Sequence, residues 1–456
     1  MKELEKEEVV TIGSHVIVQR LDFQKIYRVS ENGSLAMGKE EIKMNDIIGK
    51  PYWTTFKVIS PFEGRDKKKK KGPPSTLVVA EKCESLEDLR KTLTSGYDNR
   101  SIKDDGKSQK LSKDDILGFR DAGKSGREIV TSLIENNVSF TEKTEYSQEK
   151  YIRKKEKKYC QFLSIHKPTI SSIQRIYLRQ DPSKINGLRM DTLAQLFSYS
   201  DVKSDGVFIL YDSGTAGLVP AGMLSRIGAH TSGNLVYLHS GDHLPQMPIV
   251  RAMNFPMEQL DRFTTVSIFD FLQTYSSNKS CDKNEISQKS EDCKKIDEPL
   301  MTEKIVDSNE LTNGNCDDKL CDTEDSNSMK RKRPDDTQGE PVVMKKSRKV
   351  LDMERGVRLL TDSKADSLVI VTKEHPLNII KELLPFVKSS RPFVVYHSSR
   401  EPLQEAYLAL KQQCDVVNLK IFSNFLRSYQ VLADRTHPDI LTNDCGGYLL
   451  TGYTVS

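Results

Sequence analysis

A strand, loop and helix at residues 207–219 contain the side chains best placed for ligand chemistry. The apolar run 207–211 leads into Asp212, and Gly214 and Gly217 follow in a short loop before apolar residues at helical spacing. Glycines allow a loop backbone to approach a ligand without a Cβ in the way. An acid followed by closely spaced glycines at the end of a buried strand is typical of nucleotide-binding loops.

The segments around this loop alternate between helices and apolar strands. Helices are predicted at 170–178, 191–197, 220–227, 377–386 and 403–412. Strands are predicted near residues 207, 235, 264, 368, 393, 417 and 448, the last two paired antiparallel. This alternation predicts a doubly wound, Rossmann-like sheet. Seven strands with a closing hairpin are the plan of class I methyltransferases, in which S-adenosylmethionine lies across the carboxyl ends of the first strands.

Three positions depart from what such a donor site requires. Ala216 stands at the second glycine position of the loop. The second strand ends at His239, with the acid Asp242 displaced into the turn. The fourth strand ends with Lys373 before Glu374, which is the only candidate acid there. One such departure is tolerable in a loosely matching motif, but three in one domain predict that the donor pocket has been lost.

The predicted degenerate donor site therefore comprises Asp212, Gly214, Ala216 and His239. The alternative is a divergent but self-sufficient methyltransferase that still uses S-adenosylmethionine.

Residues 1–90 predict a small N-terminal β-barrel, because short apolar runs alternate with turn residues. One of the expected strands lies at 46–50. A run of five lysines at 67–71 interrupts two others. This run is either a solvated hairpin tip or a tip that touches phosphate.

Residues 91–167 predict a basic helical connector. Ser112 and Asp115 form a capped helix start, and a second helix carries apolar residues on one face from 129 to 134. A third helix, 145–159, is basic over more than half of its circumference. It is either a solvated surface helix or an electrostatic track for nucleic acid.

Residues 276–349 predict a disordered insertion between the two parts of the Rossmann-like domain, 168–275 and 350–456. The segment is rich in Ser, Asn, Asp, Glu and Lys, so it cannot bury enough apolar surface to fold alone. Basic clusters at 330–333 and 345–349 suit a nuclear import address, with an incidental charge run as the alternative.

Composition limits the other possibilities. The 69 Lys and Arg against 65 Asp and Glu leave a net charge of only +4, so affinity for a polyanion must come from local clusters. No apolar run reaches the roughly 18 residues of a membrane span. The eight cysteines lack metal-ligand spacing, which indicates free thiols in a reducing compartment and no metal site.

A set of longer motifs spans nearly the whole chain outside the insertion. They are DNR at 98–100 with DDGKSQKL at 104–111, EIV at 128–130 with LIEN at 133–136, KTEY at 143–146 with KYI at 150–152, RPFVVY at 391–396, YQVL at 429–432 with RTHP at 435–438, and GGYLL at 446–450. By these motifs the chain resembles the non-catalytic subunits of the eukaryotic tRNA methyltransferase that forms 1-methyladenosine at position fifty-eight.

The resemblance implies a subunit without catalytic residues that binds tRNA rather than DNA or a membrane. It also implies a catalytic partner of related fold, which alone binds S-adenosylmethionine, in a heterotetramer with two copies of each subunit. Modifying a base in the T loop requires opening that loop and extruding the base, at a cost of a few kcal/mol. Contacts to the phosphate backbone must then stabilise the opened form.

Basic and polar side chains in the polar loop near residue 105, on the basic helix and before the last strand are the expected RNA contacts. They are Arg100, Lys107, Gln109, Lys110, Lys150, Arg153, Lys154, Lys155, Arg427, Arg435 and His437. For each of them the alternative is ordinary solvation or a salt bridge between subunits.

Overall fold

The computed structural model describes residues 8–59 except 22 and 39, 74–80, 96, 108–121, 124–159, 162–241, 243–277, 348–431, 436–440 and 446–455. Nearly all of the predicted insertion lies outside the described residues, as do the lysine run and the expected RNA contacts Arg100, Lys107 and Arg435. The chain divides into a large unit, Met1–Phe271 with Asp352–Ser456, and a second unit, Leu272–Leu351.

The N-terminal part of the large unit is a five-stranded antiparallel sheet with an added hairpin. Its strands are β1 (His15–Arg20), β2 (Phe23–Arg28), β3 (Ser34–Met37), β4 (Glu40–Lys43), β5 (Thr55–Ile59), β6 (Thr76–Val79) and β7 (Phe162–His166). The sheet order is β2-β1-β7-β5-β6, and β3 pairs with β4 as a hairpin. Alternate side chains of both surround one apolar core, which includes Val16, Ile42, Phe56 and Leu163.

Two features of this domain differ from the sequence-based expectation. The expected strand at 46–50 is a 3₁₀ turn, Asn45–Ile47, followed by Gly49 at a φ of 75°. Strand β7 lies within the segment predicted as a helical connector, yet it occupies the centre of the sheet between β1 and β5. Its apolar pattern is only five residues long and follows a highly charged helix, so local periodicity does not reveal its distant partners.

Three helices lie in the described residues between β6 and β7, and the first begins with the predicted cap at Ser112. They are α1 (Lys113–Asp121), α2 (Gly126–Glu135) and α3 (Glu145–Tyr159). The Ser112 hydroxyl accepts a hydrogen bond from the backbone N–H of Asp115 and donates one to its carboxylate. Helix α2 begins with a capping box between Ser125 and Glu128, and it buries Ile129, Val130 and Leu133.

The remainder of the large unit is built on a seven-stranded sheet. Its strands are β8 (Val207–Asp212), β9 (Asn234–His239), β10 (Phe263–Ser267), β11 (Ser367–Val371), β12 (Pro392–His397), β13 (Val416–Phe422) and β16 (Tyr448–Thr454). A small hairpin of β14 (Tyr429–Gln430) and β15 (His437–Pro438) precedes β16. The sheet order is β10-β9-β8-β11-β12-β16-β13, with β16 antiparallel to both neighbours. This order confirms the predicted class I methyltransferase plan.

Helices alternate with these strands, and they include the five that the sequence predicts at 170–178, 191–197, 220–227, 377–386 and 403–412. They are α4 (Ile170–Gln180), α5 (Met190–Tyr199), α6 (Leu218–Ile227), α7 (Pro248–Ala252), α8 (Met257–Leu260), α9 (268–277), α10 (Arg348–Ser363), α11 (Pro376–Leu383) and α12 (Glu401–Lys411). Every residue of β8, β11 and β12 is buried, which explains why these strands are nearly continuous apolar runs. Among the described helices, none combines the length and apolar character of a membrane span.

The N-terminal sheet is joined to the Rossmann-like domain by specific contacts. The Asn254 side chain accepts a hydrogen bond from the backbone N–H of His15 and donates one to its carbonyl, both at 2.8 Å. Ile17 of β1 is fully buried in the apolar core of the Rossmann-like domain. The two domains therefore share part of one core.

Candidate functional site

The predicted ligand loop follows β8, where Asp212 is almost completely buried. Its carboxylate accepts hydrogen bonds from the backbone N–H of Gly214 at 2.9 Å and of Thr215 at 3.0 Å, and from the Thr215 hydroxyl. Burial raises the pKa of Asp212 above its ordinary value, although these hydrogen bonds and the charge of Lys373 act in the opposite direction. The acid thus holds its own loop in shape.

The rest of the loop packs against the protein. Ala216 has a φ of 53°, in the left-handed region that favours glycine, and its carbonyl accepts a hydrogen bond from the Ile249 N–H. Gly217, at a φ of 85°, lies so close to α7 that a Cβ on it would stand 2.9 Å from the Cβ of Met247. Gly217 therefore allows the loop to pack closely against the start of α7.

Lys373 covers the remaining glycine. Its ammonium nitrogen lies 3.1 Å from the position that a Cβ on Gly214 would take. The backbone N–H of Lys373 donates a hydrogen bond of 2.9 Å to the Ser213 hydroxyl, which ties the end of β11 to the loop. A ligand approaching the backbone of Gly214 would have to displace this lysine.

The other acid near the loop is also used locally. The Glu374 carboxylate accepts a hydrogen bond of 2.5 Å from the Thr372 hydroxyl. Partial burial raises the pKa of Glu374, but the hydrogen bonds from Thr372 and Ser213 outweigh it and leave the pKa below its usual range. Glu374 is directed back onto its own turn.

The second strand presents aromatic rings where an acid would be required. His239 is buried at the end of β9, with its ring 6.3 Å from that of Tyr237. The Tyr237 hydroxyl donates a hydrogen bond of 3.3 Å to the Asp212 carbonyl, and burial strongly raises the pKa of Tyr237. The described part of this strand end offers no carboxylate to ribose hydroxyls.

The space left beside the loop is small. The cavity between the loop, Tyr237, His239 and the described residues 240, 241, 243, 245 and 246 measures about 190 Å³, below the roughly 300–1,000 Å³ of small-molecule pockets. With the loop acid satisfied internally and Lys373 over Gly214, these residues do not fit S-adenosylmethionine. A degenerate donor site at Asp212, Gly214, Ala216 and His239 stays a prediction.

Helix α3 carries four of the expected RNA contacts. It contains six Lys and Arg against three Glu, a net charge of +3. Lys150, Arg153 and Lys154 are exposed, and Arg153 pairs with Glu149 at 3.3 Å. Lys155 is half-buried, with its ammonium group 5.1 Å from the centre of the Tyr151 ring, and burial lowers its pKa. Three of the four predicted cations therefore face solvent.

Gln109 and Lys110 lie beside this helix with different exposure. The Gln109 amide donates hydrogen bonds to the Leu133 carbonyl at 3.0 Å and to the Tyr151 hydroxyl at 3.3 Å. Its side chain therefore links the loop before α1 to α2 and α3. Lys110 is exposed and is still available for RNA.

Arg427 and His437 lie on the segment between β13 and β16, residues 423–447, here called the arm; its described residues are 423–431, 436–440 and 446–447. Both side chains are exposed. The arm also exposes a set of apolar side chains that the sequence-based reasoning missed. They are Phe425 (79% exposed), Leu426, Tyr429, Val431 (75%) and Ile440 (92%). A signal was present, because five apolar side chains stand in a turn-rich segment with no helical or strand periodicity.

The base of the arm is fixed to the sheet. The buried Arg189 guanidinium donates a hydrogen bond of 2.9 Å to the Asn424 carbonyl while forming a two-point pair with Asp191. The Tyr199 and Phe422 rings pack 5.0 Å apart at the end of β13. The start of the arm is thus held by the sheet, while the described side chains 425–429, 431 and 440 are exposed.

Comparison with known proteins places the chain in a family. The Gcd10p family matches residues 9–297. The chain belongs to the Gcd10p family. One relative is the mouse protein named tRNA (adenine(58)-N(1))-methyltransferase non-catalytic subunit TRM6, which is 32% identical over 97% of this chain and 88% of its own length. A Dictyostelium discoideum protein of the same name is 28% identical over 98% of this chain and 80% of its own length.

Among solved structures, a SAM-dependent O-methyltransferase from Thermotoga maritima overlaps 98% of this chain and 95% of its own. Its TM-score is 0.46 at 9% identity. The fold of this Gcd10p-family chain follows from its own strand order.

Proposed function

We propose that this chain is the non-catalytic subunit of a tRNA (adenine-N1)-methyltransferase acting at position fifty-eight. One observation carries the proposal. Protein groups occupy the donor loop, because Asp212 accepts hydrogen bonds from its own loop and Lys373 lies over Gly214. On the same chain, a basic helix and apolar side chains of the arm are exposed. A methyltransferase fold arranged in this way provides binding surfaces and leaves the chemistry to a partner. The names of its Gcd10p-family relatives agree with this division of labour.

The tRNA surface in this proposal centres on α3. Its exposed Lys150, Lys154, Lys157 and Lys158 attract phosphates without reading sequence, which suits the recognition of a folded RNA by shape. Lys110 in the motif at 104–111 and Arg427 on the arm are further exposed cations. Binding energy spread over several phosphate contacts stabilises an opened T loop, whose target base the partner then modifies.

The arm is the proposed binding surface for the catalytic subunit. The described part of the arm exposes five large apolar side chains, whereas the surfaces of most soluble proteins expose such side chains singly. A partner is required because the described donor loop does not fit the methyl donor, and aromatic anchors such as Phe425 and Tyr429 are typical of interface hot spots. The rigid base at Arg189 reduces the entropy lost when the arm docks.

Reconstitution with the cognate catalytic subunit tests this proposal. The double variant Phe425→Ser with Ile440→Ser should weaken binding to that subunit at least tenfold and reduce tRNA methylation in parallel, because two apolar anchors are removed from the interface. Met257→Ser is the matched control, since Met257 is 68% exposed on α8, which leads into the opposite edge of the sheet. Affinity would be measured by calorimetry, with methyl transfer to unmodified tRNA as the second readout. If the arm variant bound the subunit as tightly as the control, the arm would not be the interface.

Two finer features are part of the proposal. The complex is a heterotetramer with two copies of each subunit; support comes from β13, an edge strand with exposed Val417 that offers a contact separate from the arm. Native mass spectrometry giving a different subunit ratio would reject it.

The complex acts in the nucleus, directed by the basic clusters at 330–333 and 345–349. Replacing the cluster lysines and arginines by alanine should then leave a fluorescent fusion outside the nucleus.

A further inference from the structure

Trp53 is an unusual residue of the N-terminal domain. It is the only tryptophan in the chain, and 63% of its surface is exposed. Its φ of 73° lies in the left-handed region, where a bulky residue is an outlier. Strained positions of this kind cost about 1–3 kcal/mol and persist only where surrounding structure enforces them, often at functional sites. Glycine would fill this turn without strain, so the exposed indole itself requires an explanation.

The indole is held in place by β7. The Trp53 backbone N–H donates a hydrogen bond of 2.6 Å to the Ile165 carbonyl, and Ile165 N–H donates to the Thr54 carbonyl at 3.1 Å. The Trp53 ring meets the His166 ring edge to face, with centroids 4.7 Å apart and planes at 83°. The Ser164 hydroxyl lies 2.7 Å from His166 Nε2 and helps to orient that ring. One edge of the indole is therefore fixed while much of its surface faces solvent.

The basic helix and Trp53 are connected by the same strand. Helix α3 ends at Tyr159, shortly before β7 begins at Phe162, and Trp53 contacts the other end of β7. The strand spans about 13 Å at the usual rise per residue. Cations near one end of β7 and an oriented aromatic ring at the other are the two parts of a single-strand binding surface, where phosphates follow a basic track and bases stack on aromatic rings.

We propose that Trp53 is a stacking platform for an unpaired nucleobase of the bound tRNA. This inference rests on the proposed function and adds a second type of contact to it. Stacking uses the π-face that every base has, so the contact serves an extruded or loop base of any sequence.

RNA fits Trp53 better than a protein partner does. The ring shown against the indole is that of His166, and the next residues of the two chain segments that meet there are the polar Thr54 and Lys167. A protein hot spot requires a contiguous apolar area, and that area lies on the arm. Stacking requires only one aromatic face with positive charge nearby.

The single tryptophan makes a direct test possible. The full chain is titrated with unmodified tRNA, with an eight-nucleotide oligoadenylate and with heparin, while tryptophan fluorescence is recorded. Both RNAs should quench the fluorescence to saturation, because a stacked base lies against the indole. Heparin should bind without quenching, because it has charge but no bases. Quenching by heparin equal to that by tRNA would overturn the proposal.

Variants test the energy of the contact in the complex with the catalytic subunit. Trp53→Ala and Trp53→Gly should each weaken tRNA binding about 5- to 150-fold, which corresponds to one stacked base. The dependence of affinity on salt should be unchanged, since the indole neutralises no phosphate. Trp53→Phe should keep most of the affinity. Phe23→Ala is the matched control, because Phe23 is 50% exposed on β2, an edge strand of the same sheet. Agreement between the Ala and Gly variants excludes backbone strain as the cause.

The outcomes separate this inference from the proposed function. If Trp53 variants bind tRNA with wild-type affinity and a normal salt slope, stacking is wrong and the proposed function stands. If the catalytic subunit alone shifts and quenches the Trp53 fluorescence, the residue is a protein contact and the inference is overturned. If the wild-type complex does not bind tRNA, both proposals fail.

Discussion

Ala216 and Lys373 decide the state of the donor loop at the scale of single residues. Ala216 has a left-handed backbone conformation, which costs an L-residue about 1–2 kcal/mol. The contacts of the surrounding loop must compensate for this cost. Lys373 then covers the face of Gly214 that a ligand would approach. The replacement of a glycine by Ala216 is visible in the sequence. The position of the Lys373 ammonium group is not, because it depends on how the ends of β8 and β11 meet.

The first prediction concerns Ala216→Gly. Relief of the left-handed strain and the greater entropy of the unfolded chain oppose each other, so the free energy of unfolding should change by less than about 1 kcal/mol. Ala221→Gly is the matched control; Ala221 is buried inside α6, and the change should cost about 1 kcal/mol or more. Denaturant unfolding measures both.

The loop after β8 should not bind S-adenosylmethionine even after two substitutions. Ala216→Gly combined with Lys373→Ala should still show no binding of S-adenosylmethionine by calorimetry, because Asp212 remains satisfied by its own loop and His239 ends β9. Micromolar binding by the wild-type chain would instead favour the self-sufficient methyltransferase.

Asp366 joins several elements at the amino end of the Rossmann-like sheet. Its buried carboxylate accepts hydrogen bonds from the Val207 N–H at 3.1 Å and from the Lys388 ammonium group at 2.9 Å, and Arg391 lies 3.4 Å away. Burial raises the pKa of Asp366, but the hydrogen bond and charge of Lys388 outweigh it, so the pKa lies below its ordinary value. The carboxylate thus connects β8, β11 and the segment before β12.

The second prediction is a pH dependence of stability. A carboxyl whose folded pKa lies below its unfolded value of about 3.9 stabilises the fold above that pH. This contribution disappears as the pH falls through the folded pKa. Asp366→Asn should therefore lower the free energy of unfolding at pH 7 by about 1–3 kcal/mol. It should also flatten the loss of stability between pH 5 and pH 3.

Asp205→Asn is the control, since Asp205 is exposed in the turn before β8. Denaturant unfolding at each pH measures the effect. Equal pH profiles for wild type and Asp366→Asn would contradict the assigned role.

At the scale of the whole molecule, charge matters by its distribution. The chain carries only +4 overall, yet α3 alone carries +3. A phosphate-binding surface on this helix is therefore compatible with a nearly neutral protein, and its contribution should be seen in the salt dependence of binding.

The third prediction tests that surface in the complex with the catalytic subunit. Lys150→Ala with Lys154→Ala should weaken tRNA binding at low salt and reduce the slope of log affinity against log salt by about 0.7–0.9 for each phosphate that the variant no longer neutralises. Lys381→Ala with Lys411→Ala removes the same charge from exposed positions on α11 and α12 and should leave the slope unchanged. A slope that is also unchanged in the α3 variant would assign these lysines to ordinary solvation.

The sequence by itself determined the elements of this protein and the residues that depart from a donor site. Strands β8, β11 and β12 are long apolar runs because both faces of a parallel sheet are buried, and Ser112 and Ser125 mark helix starts through local hydrogen bonds. Such signals act over a few residues, so they are readable without coordinates.

Only the tertiary structure decided which distant segments meet. It placed β7 at the centre of the N-terminal sheet, directed the Gln109 amide inward, set Lys373 over Gly214 and left the arm and Trp53 exposed. Each of these depends on contacts between residues far apart in the chain, and periodicity and local propensity do not record such contacts. The same donor-type loop would be open or closed according to the side chains that fold against it.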